Sequence, residues 1–160
     1  MSTGGETRLH LVDELRFTAT TPNGHTIELD SHADGPPTAA TPMQLQLVAL
    51  GGCTAMDTIS VLRKMRQDVT AYDVRLSADR ADEHPRVYTS ILMTHELRGH
   101  AIVEANVHRA IQLTMTRYCP VFAMLYPTVA IRERYEITDD DTGVVVSGEV
   151  SREDETVSAM

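Results

Sequence analysis

Apolar residues alternate with polar ones at Leu9, Leu11, Leu15, Phe17, Ile27 and Leu29, and Pro22-Asn23-Gly24 interrupts them as a chain-reversal signal. The pattern predicts two strands around a turn. A loop follows over residues 31–40, because Asp34-Gly35-Pro36-Pro37 sets two prolines in a row with no backbone donors. At Thr41-Pro42 the period changes. Leu45, Val48, Ala49, Gly52, Cys53, Met56, Ile59, Leu62 and Met65 recur at helical spacing, predicting one helix over residues 43–66. Thr41 suits its N-cap, Pro42 its first position, and Arg63, Lys64 and Arg66 its C-terminal dipole end. Leu47, Leu50, Ala55 and Val61 make the first two-thirds of this helix apolar nearly all round. One small domain could scarcely cover such a helix, so sheets or a partner chain must pack on several of its sides.

Residues 72–78 and 87–97 read as a hairpin broken at Pro85, and residues 103–118 as a second helix through Val103, Val107, Ala110, Ile111, Thr114, Met115 and Tyr118. Cys119-Pro120 ends that helix, residues 120–127 add a short helical turn, and residues 128–137 form a closing strand. Beyond Ile137, seven carboxylates (Asp139, Asp140, Asp141, Glu149, Glu153, Asp154, Glu155) stand against Arg152 alone. That balance predicts a domain over 1–137 and a solvated acidic tail over 138–160, with Val144, Val145 and Val146 as a short strand or docking segment.

With 160 residues, 42% of them hydrophobic, the chain is long enough to bury a core and too short for a second full domain. A net charge of −9 argues against nucleic acid and anionic membranes as partners. No stretch reaches the roughly 20 consecutive apolar residues of a membrane span, and the N-terminus lacks a signal-peptide pattern, so the expectation is a soluble cytoplasmic protein.

The two cysteines, Cys53 and Cys119, exclude a disulfide-dense scaffold and a four-cysteine zinc site within one chain. They are either two small core hydrophobes or a redox pair that meets where the helices cross. Gly51-Gly52 leaves the approach to Cys53 open, whereas Asp57, four residues on, would raise the thiol pKa, so a reactive Cys53 needs a cation from elsewhere. His10, His25, His32, His84, His95, His100 and His108 show no metal-ligand spacing and fall mostly in loops or at polar positions. Neither a phosphate-binding glycine loop nor a nucleophile elbow is present. Met43, Met56, Met65, Met93, Met115 and Met124 read as core filler, with a pliable apolar pocket as the second reading.

The run from Thr41 through Gly51-Gly52-Cys53 to Asp57, then His84-Pro85-Arg86-Val87, then Arg109-Ala110-Ile111 leading to Tyr118-Cys119-Pro120-Val121, resembles the OsmC/organic hydroperoxide resistance family over residues 10–137. The resemblance implies an α+β, OsmC-like fold: an intertwined homodimer with β-sheets wrapped around two long central helices. It implies a cysteine-based peroxidase for organic hydroperoxides and, less well, hydrogen peroxide, acting in oxidative stress defence. By motif, Cys53 is the peroxidatic thiolate, Cys119 resolves its sulfenic acid as a disulfide, and an external dithiol reduces that disulfide. Arg16 is the candidate cation that activates Cys53. Met43 follows the helix-opening proline, where the best characterised branch of the family carries a glutamate that holds this arginine. No metal or organic cofactor is implied. The alternative is a non-enzymatic dimer of the same fold that binds a small hydrophobic ligand or senses redox state.

Overall fold

Glu14 turns the chain where alternation alone suggests one continuous strand. In the computed structural model, which describes residues 4–31 and 35–152, Glu14 takes a φ of +39° and separates Arg8–Asp13 (β1) from Arg16–Thr20 (β2). Thr26–Leu29 (β3) completes an antiparallel sheet of order β1-β2-β3, so the expected two strands are three. Gly24, at φ +86°, makes the second turn possible. The chain divides into two units, residues 1–48 and 49–160. This first sheet and the opening turns of the long helix belong to the former.

That helix, Pro42–Lys64 (α1), starts where the cap signals place it. Gln44 N–H donates to Thr41 Oγ1 at 3.2 Å, and Thr41 N–H donates to Gln44 Oε1 at 2.8 Å. The reciprocal pair satisfies two backbone donors and is worth about 1 kcal/mol. At the other end Arg66, at φ +56°, closes a Schellman turn in which Gln67 N–H reaches Leu62 O at 3.0 Å. The buried residues of α1 are Leu50, Gly51, Thr54, Thr58, Val61 and Leu62, whereas Val48 and Met56 are 64% and 73% exposed. By length and composition α1 could cross a membrane, a level that no segment was expected to reach. Its buried hydroxyls and Asp57 mark it instead as a helix that packs within a protein interior, since Thr54 and Thr58 each bond a residue of the second helical region.

The second unit is built on a sheet of order β4-β5-β6-β7. Asp68–Arg80 (β4) and Tyr88–His100 (β5) form the expected hairpin, each longer than its apolar run. Ala130–Asp139 (β6) lies parallel to β5, which requires the crossover supplied by Glu104–Leu113 (α2) and Pro120–Leu125 (α3). The core side chains come from every layer: Leu50 and Leu62 of α1, Ile91, Met93 and Leu97 of β5, Val107 and Ile111 of α2, and Phe122 of α3 are at most 1% exposed. Each such burial is worth about 1.5–3 kcal/mol.

Strand β6 is not the closing strand. Val145–Val150 (β7) pairs antiparallel with it, so the sheet runs past the boundary expected at Ile137. The acidic residues in between are turn-builders and not a solvated run. Asp139 Oδ1 accepts from Asp141 N–H, Thr142 N–H and Thr142 Oγ1 at 2.8–3.1 Å, and Asp140 Oδ1 accepts from Arg98 Nη2 at 2.8 Å. Residues 153–160 of the expected tail, and His32, lie outside the described residues. The methionines divide: Met93 and Met115 are buried, but Met56 and Met124 are exposed, against their reading as filler.

Candidate functional site

The second thiol is positioned by a helix that is forced to end. After Leu113 the helix widens over Thr114–Tyr118 into a π turn, and Cys119 N–H donates to Thr114 O, five residues back, at 3.0 Å. Pro120 disfavours the helical conformation for its predecessor, and Cys119 is extended at φ −74°, ψ 105°. There it caps α3, its Sγ accepting from Phe122 N–H at 3.3 Å. Thr54 Oγ1 of α1 donates to the same sulfur at 3.5 Å, which ties the buried Cys119 to the helix that carries Cys53.

Cys53 is half-buried and faces it. The ligand atoms of Cys53, Asp57 and Cys119 all lie within 4.8 Å of one another, and both thiols are free. The meeting that spacing left open is therefore present. Burial pushes the Cys53 thiol up to about 11; the Cys119 thiol and the Asp57 charge add to the rise, and a hydrogen bond from Val121 N–H opposes it. At pH 7 such a group is thiolate in about one molecule in 10⁴. The glycines before Cys53 have separate tasks. A Cβ on Gly51 would stand 2.7 Å from Leu76 Cδ1 of β4, so Gly51 allows the helix to approach the sheet, while Gly52 faces open space.

Arg16 lies in the N-terminal unit on β2 and is held by Asp13, with Nη2 at 2.7 Å and Nε at 3.2 Å from the carboxylate oxygens. No acidic residue stands in the first turn of α1. Asp13 thus makes a carboxylate–arginine contact of the kind the family resemblance assigns to that turn.

A buried polar chain that sequence reading missed runs from Thr58 of α1 into the second sheet. His95, expected at a polar position, is wholly buried on β5. Its Nε2 is 2.9 Å from Glu133 Oε2 and its Nδ1 is 2.6 Å from the Tyr72 hydroxyl. In the neutral ring, Nε2–H donates to the carboxylate and Nδ1 accepts from Tyr72. Burial pushes the Tyr72 phenol up, and its oxygen also bonds Thr58, which is 3.2 Å from Thr114 at the start of the π turn. Glu133 Oε1 has no partner among the described residues.

A mixed α+β chain with two sheets, carrying two facing thiols on a long helix and at a helix N-cap, defines a dithiol-centre protein. Residues 34–134 match the family described as OsmC-like protein, and the chain belongs to that family. It is 36% identical over 132 residues to Protein YhfA of Escherichia coli strain K12, covering 82% of this chain and 97% of that one. Among solved structures, a hypothetical protein from Aquifex aeolicus VF5 superposes with a TM-score of 0.77 at 27% identity, covering 86% of this chain and 98% of the other. An organic hydroperoxide resistance protein OsmC from Legionella pneumophila shares the fold with a TM-score of 0.62 at 9% identity, covering 86% and 98%. The fold is an OsmC-like one, and α1 is its long helix.

Proposed function

We propose that this chain is a thiol peroxidase that reduces organic hydroperoxides, and hydrogen peroxide less well, in oxidative stress defence. The observation that carries the reading is the approach of Cys53 and Cys119 within 4.8 Å, one thiol half-buried and the other buried. Cys53 thiolate attacks a peroxide oxygen; the S–O bond forms, the O–O bond breaks, and the alkoxide leaves as alcohol after taking a proton. Cys119 thiolate then attacks the Cys53 sulfur, forming the disulfide and releasing water. An external dithiol reduces the disulfide and is itself oxidised. Turnover in this scheme uses no metal and no organic cofactor. Family membership, and the fold shared with the organic hydroperoxide resistance protein OsmC of Legionella pneumophila, support the substrate class.

A thiol near 11 has to be brought down for this chemistry. An unpaired guanidinium at about 4 Å would supply about 4 kcal/mol at an effective dielectric near 20, or about three pKa units, and the Asp13 carboxylate paired with Arg16 reduces that figure. Arg16, oriented by Asp13, is the residue to which we assign that role. We further assign the active form to a homodimer, in the cytoplasm: within the first unit, Leu9, Leu11, Leu15 and Val48 are each more than half exposed. That is the apolar surface a second copy would cover.

Anaerobic stopped-flow mixing of the reduced protein with one equivalent of cumene hydroperoxide tests the proposal. Rapid loss of both thiols with a Cys53–Cys119 crosslink is expected, abolished in Cys53→Ser. Cumene hydroperoxide consumption by Cys53→Ser at the wild-type rate would overturn it. The raised Cys53 pKa favours one other reading, a dimer of this fold that binds a small hydrophobic ligand or senses redox state without turnover. Both thiols surviving beside intact peroxide would favour that reading.

A further inference from the structure

The peroxide scheme leaves Asp57 without a task. Its carboxylate follows Cys53 by one helical turn on the same face of α1, where it opposes the thiolate that the scheme needs. With Cys119 it completes a set of three ligand atoms, each within 4.8 Å of the other two, and among the described residues no other such group of Cys, His, Asp and Glu gathers. Two sulfurs and one carboxylate oxygen suit a borderline-soft divalent ion of the zinc class and not magnesium or calcium, which take oxygen alone.

The dimensions fit. Tetrahedral zinc with Zn–S near ~2.3 Å sets its two sulfurs about 3.8 Å apart. Contraction from a separation of at most 4.8 Å is then about 1 Å or less, within reach of side-chain rotation. A second, independent feature is the set of donors already on the sulfurs: Val121 N–H on Cys53, and Phe122 N–H and Thr54 Oγ1 on Cys119. Metal-bound ligands take outer hydrogen bonds of this kind, which fix their orientation and spread their charge. Cys53 and Asp57 are only half-buried, so solvent reaches the cluster.

We propose that the reduced protein binds one zinc-class divalent cation per chain through Cys53 Sγ, Cys119 Sγ and the Asp57 carboxylate, with water as the fourth ligand. Two thiol protons leave and metal-bound waters are displaced, one water being kept, as two metal–sulfur bonds and one metal–carboxylate bond form, and no electron moves. A Cys53–Cys119 disulfide has no thiolate to offer, so oxidation and metal occupancy exclude each other. The cation would hold the thiols out of peroxide chemistry until a chelator removes it. The inference shares its thiols with the proposed peroxidase, but its test involves no peroxide.

Reduced, chelator-treated full-length protein is titrated anaerobically with Zn²⁺ by calorimetry and with Co²⁺ by absorbance. One equivalent, release of two protons and a sulfur-to-cobalt charge-transfer band are expected. Affinity falls at least about a hundredfold in Cys53→Ser and Cys119→Ser and about tenfold or more in Asp57→Asn. Asp57→Asn keeps both thiols and a near-isosteric side chain, and far-UV circular dichroism checks that each variant folds. Oxidation to the disulfide abolishes uptake and reduction restores it. No saturable uptake by the reduced wild type below about 100 μM, or uptake unchanged in both Cys53→Ser and Asp57→Asn, overturns the proposal. Metal uptake absent while the metal-free protein turns over peroxide refutes this inference alone, and metal uptake present while the metal-free protein shows no turnover refutes the peroxidase alone.

Discussion

Replacing Glu133 by leucine removes the acceptor from a fully buried histidine while keeping most of the side-chain volume. His95 is 0% and Glu133 1% exposed, and the Nε2···Oε2 distance is 2.9 Å. Water cannot replace the lost acceptor, so Nε2–H becomes an orphaned buried donor at about 1–3 kcal/mol. His95→Leu orphans both neighbours, Glu133 Oε2 and the Tyr72 hydroxyl, although the latter keeps its bond to Thr58. The double variant removes both members of the buried His95–Glu133 pair and leaves only the Tyr72 end altered. Its cost should therefore fall short of the sum of the singles by about 2 kcal/mol. Losing one member of a buried ionic pair costs about 3–5 kcal/mol, which bounds the single variants from above. For a chain of this size about 2 kcal/mol lowers Tm by about 4–8 °C. Urea unfolding followed by far-UV circular dichroism, at one protein concentration throughout, gives the cycle. Additivity within about 0.5 kcal/mol, or a Glu133→Leu protein as stable as wild type, would refute the reasoning.

In chelator-treated protein, alkylation of Cys53 by iodoacetamide should rise about tenfold per pH unit up to a midpoint near 11, and Asp57→Asn should lower that midpoint; a plateau already at pH 7 would contradict the burial argument. Because the folded-state value is raised, the stability linked to this thiol is present below its unfolded value and is lost as pH climbs toward 11. His100, hydrogen-bonded to Asp141 at 3.0 Å, is likewise raised, so its contribution is present below the unfolded histidine value and fades as pH rises through the folded one; an NMR titration should show the shift collapse in Asp141→Asn. Asp13→Asn should lower kcat/KM for cumene hydroperoxide by about tenfold or more by loosening Arg16, and an unchanged rate would remove Asp13 from the proposed site. A Cβ at Gly99 would lie 1.9 Å from the Asp68 carbonyl oxygen, so Gly99→Ala should cost at least about 1–3 kcal/mol in urea unfolding, because strand backbone and not a flexible side chain has to move.

What could be read before the fold was known follows the range of the interaction that decides each feature. Thr41, Pro42 and Gln44 act within one turn of one another, and they start α1 at Pro42 as the cap signals dictate. Glu14 turns β1 into β2 with neither glycine nor proline, and alternation carries straight across it. Thr94-His95-Glu96 looks like a polar run on a solvated face, yet His95 is buried by partners 23 and 38 positions away in the chain. No local pattern encodes that pairing. The acidic stretch after Ile137 misleads for a related reason: composition reports charge, whereas Asp139 and Asp140 accept bonds from their own turn and from Arg98. Cys119 stands between these cases. Pro120 disfavours a helical backbone at Cys119 locally, and the extended backbone there breaks the helix and hands the sulfur to Phe122 N–H. Which residue the sulfur then faces depends on the π turn and on Thr54, 65 positions earlier. A proline rule thus predicts that the second thiol leaves its helix, and only the packing of α1 decides that it arrives beside Cys53.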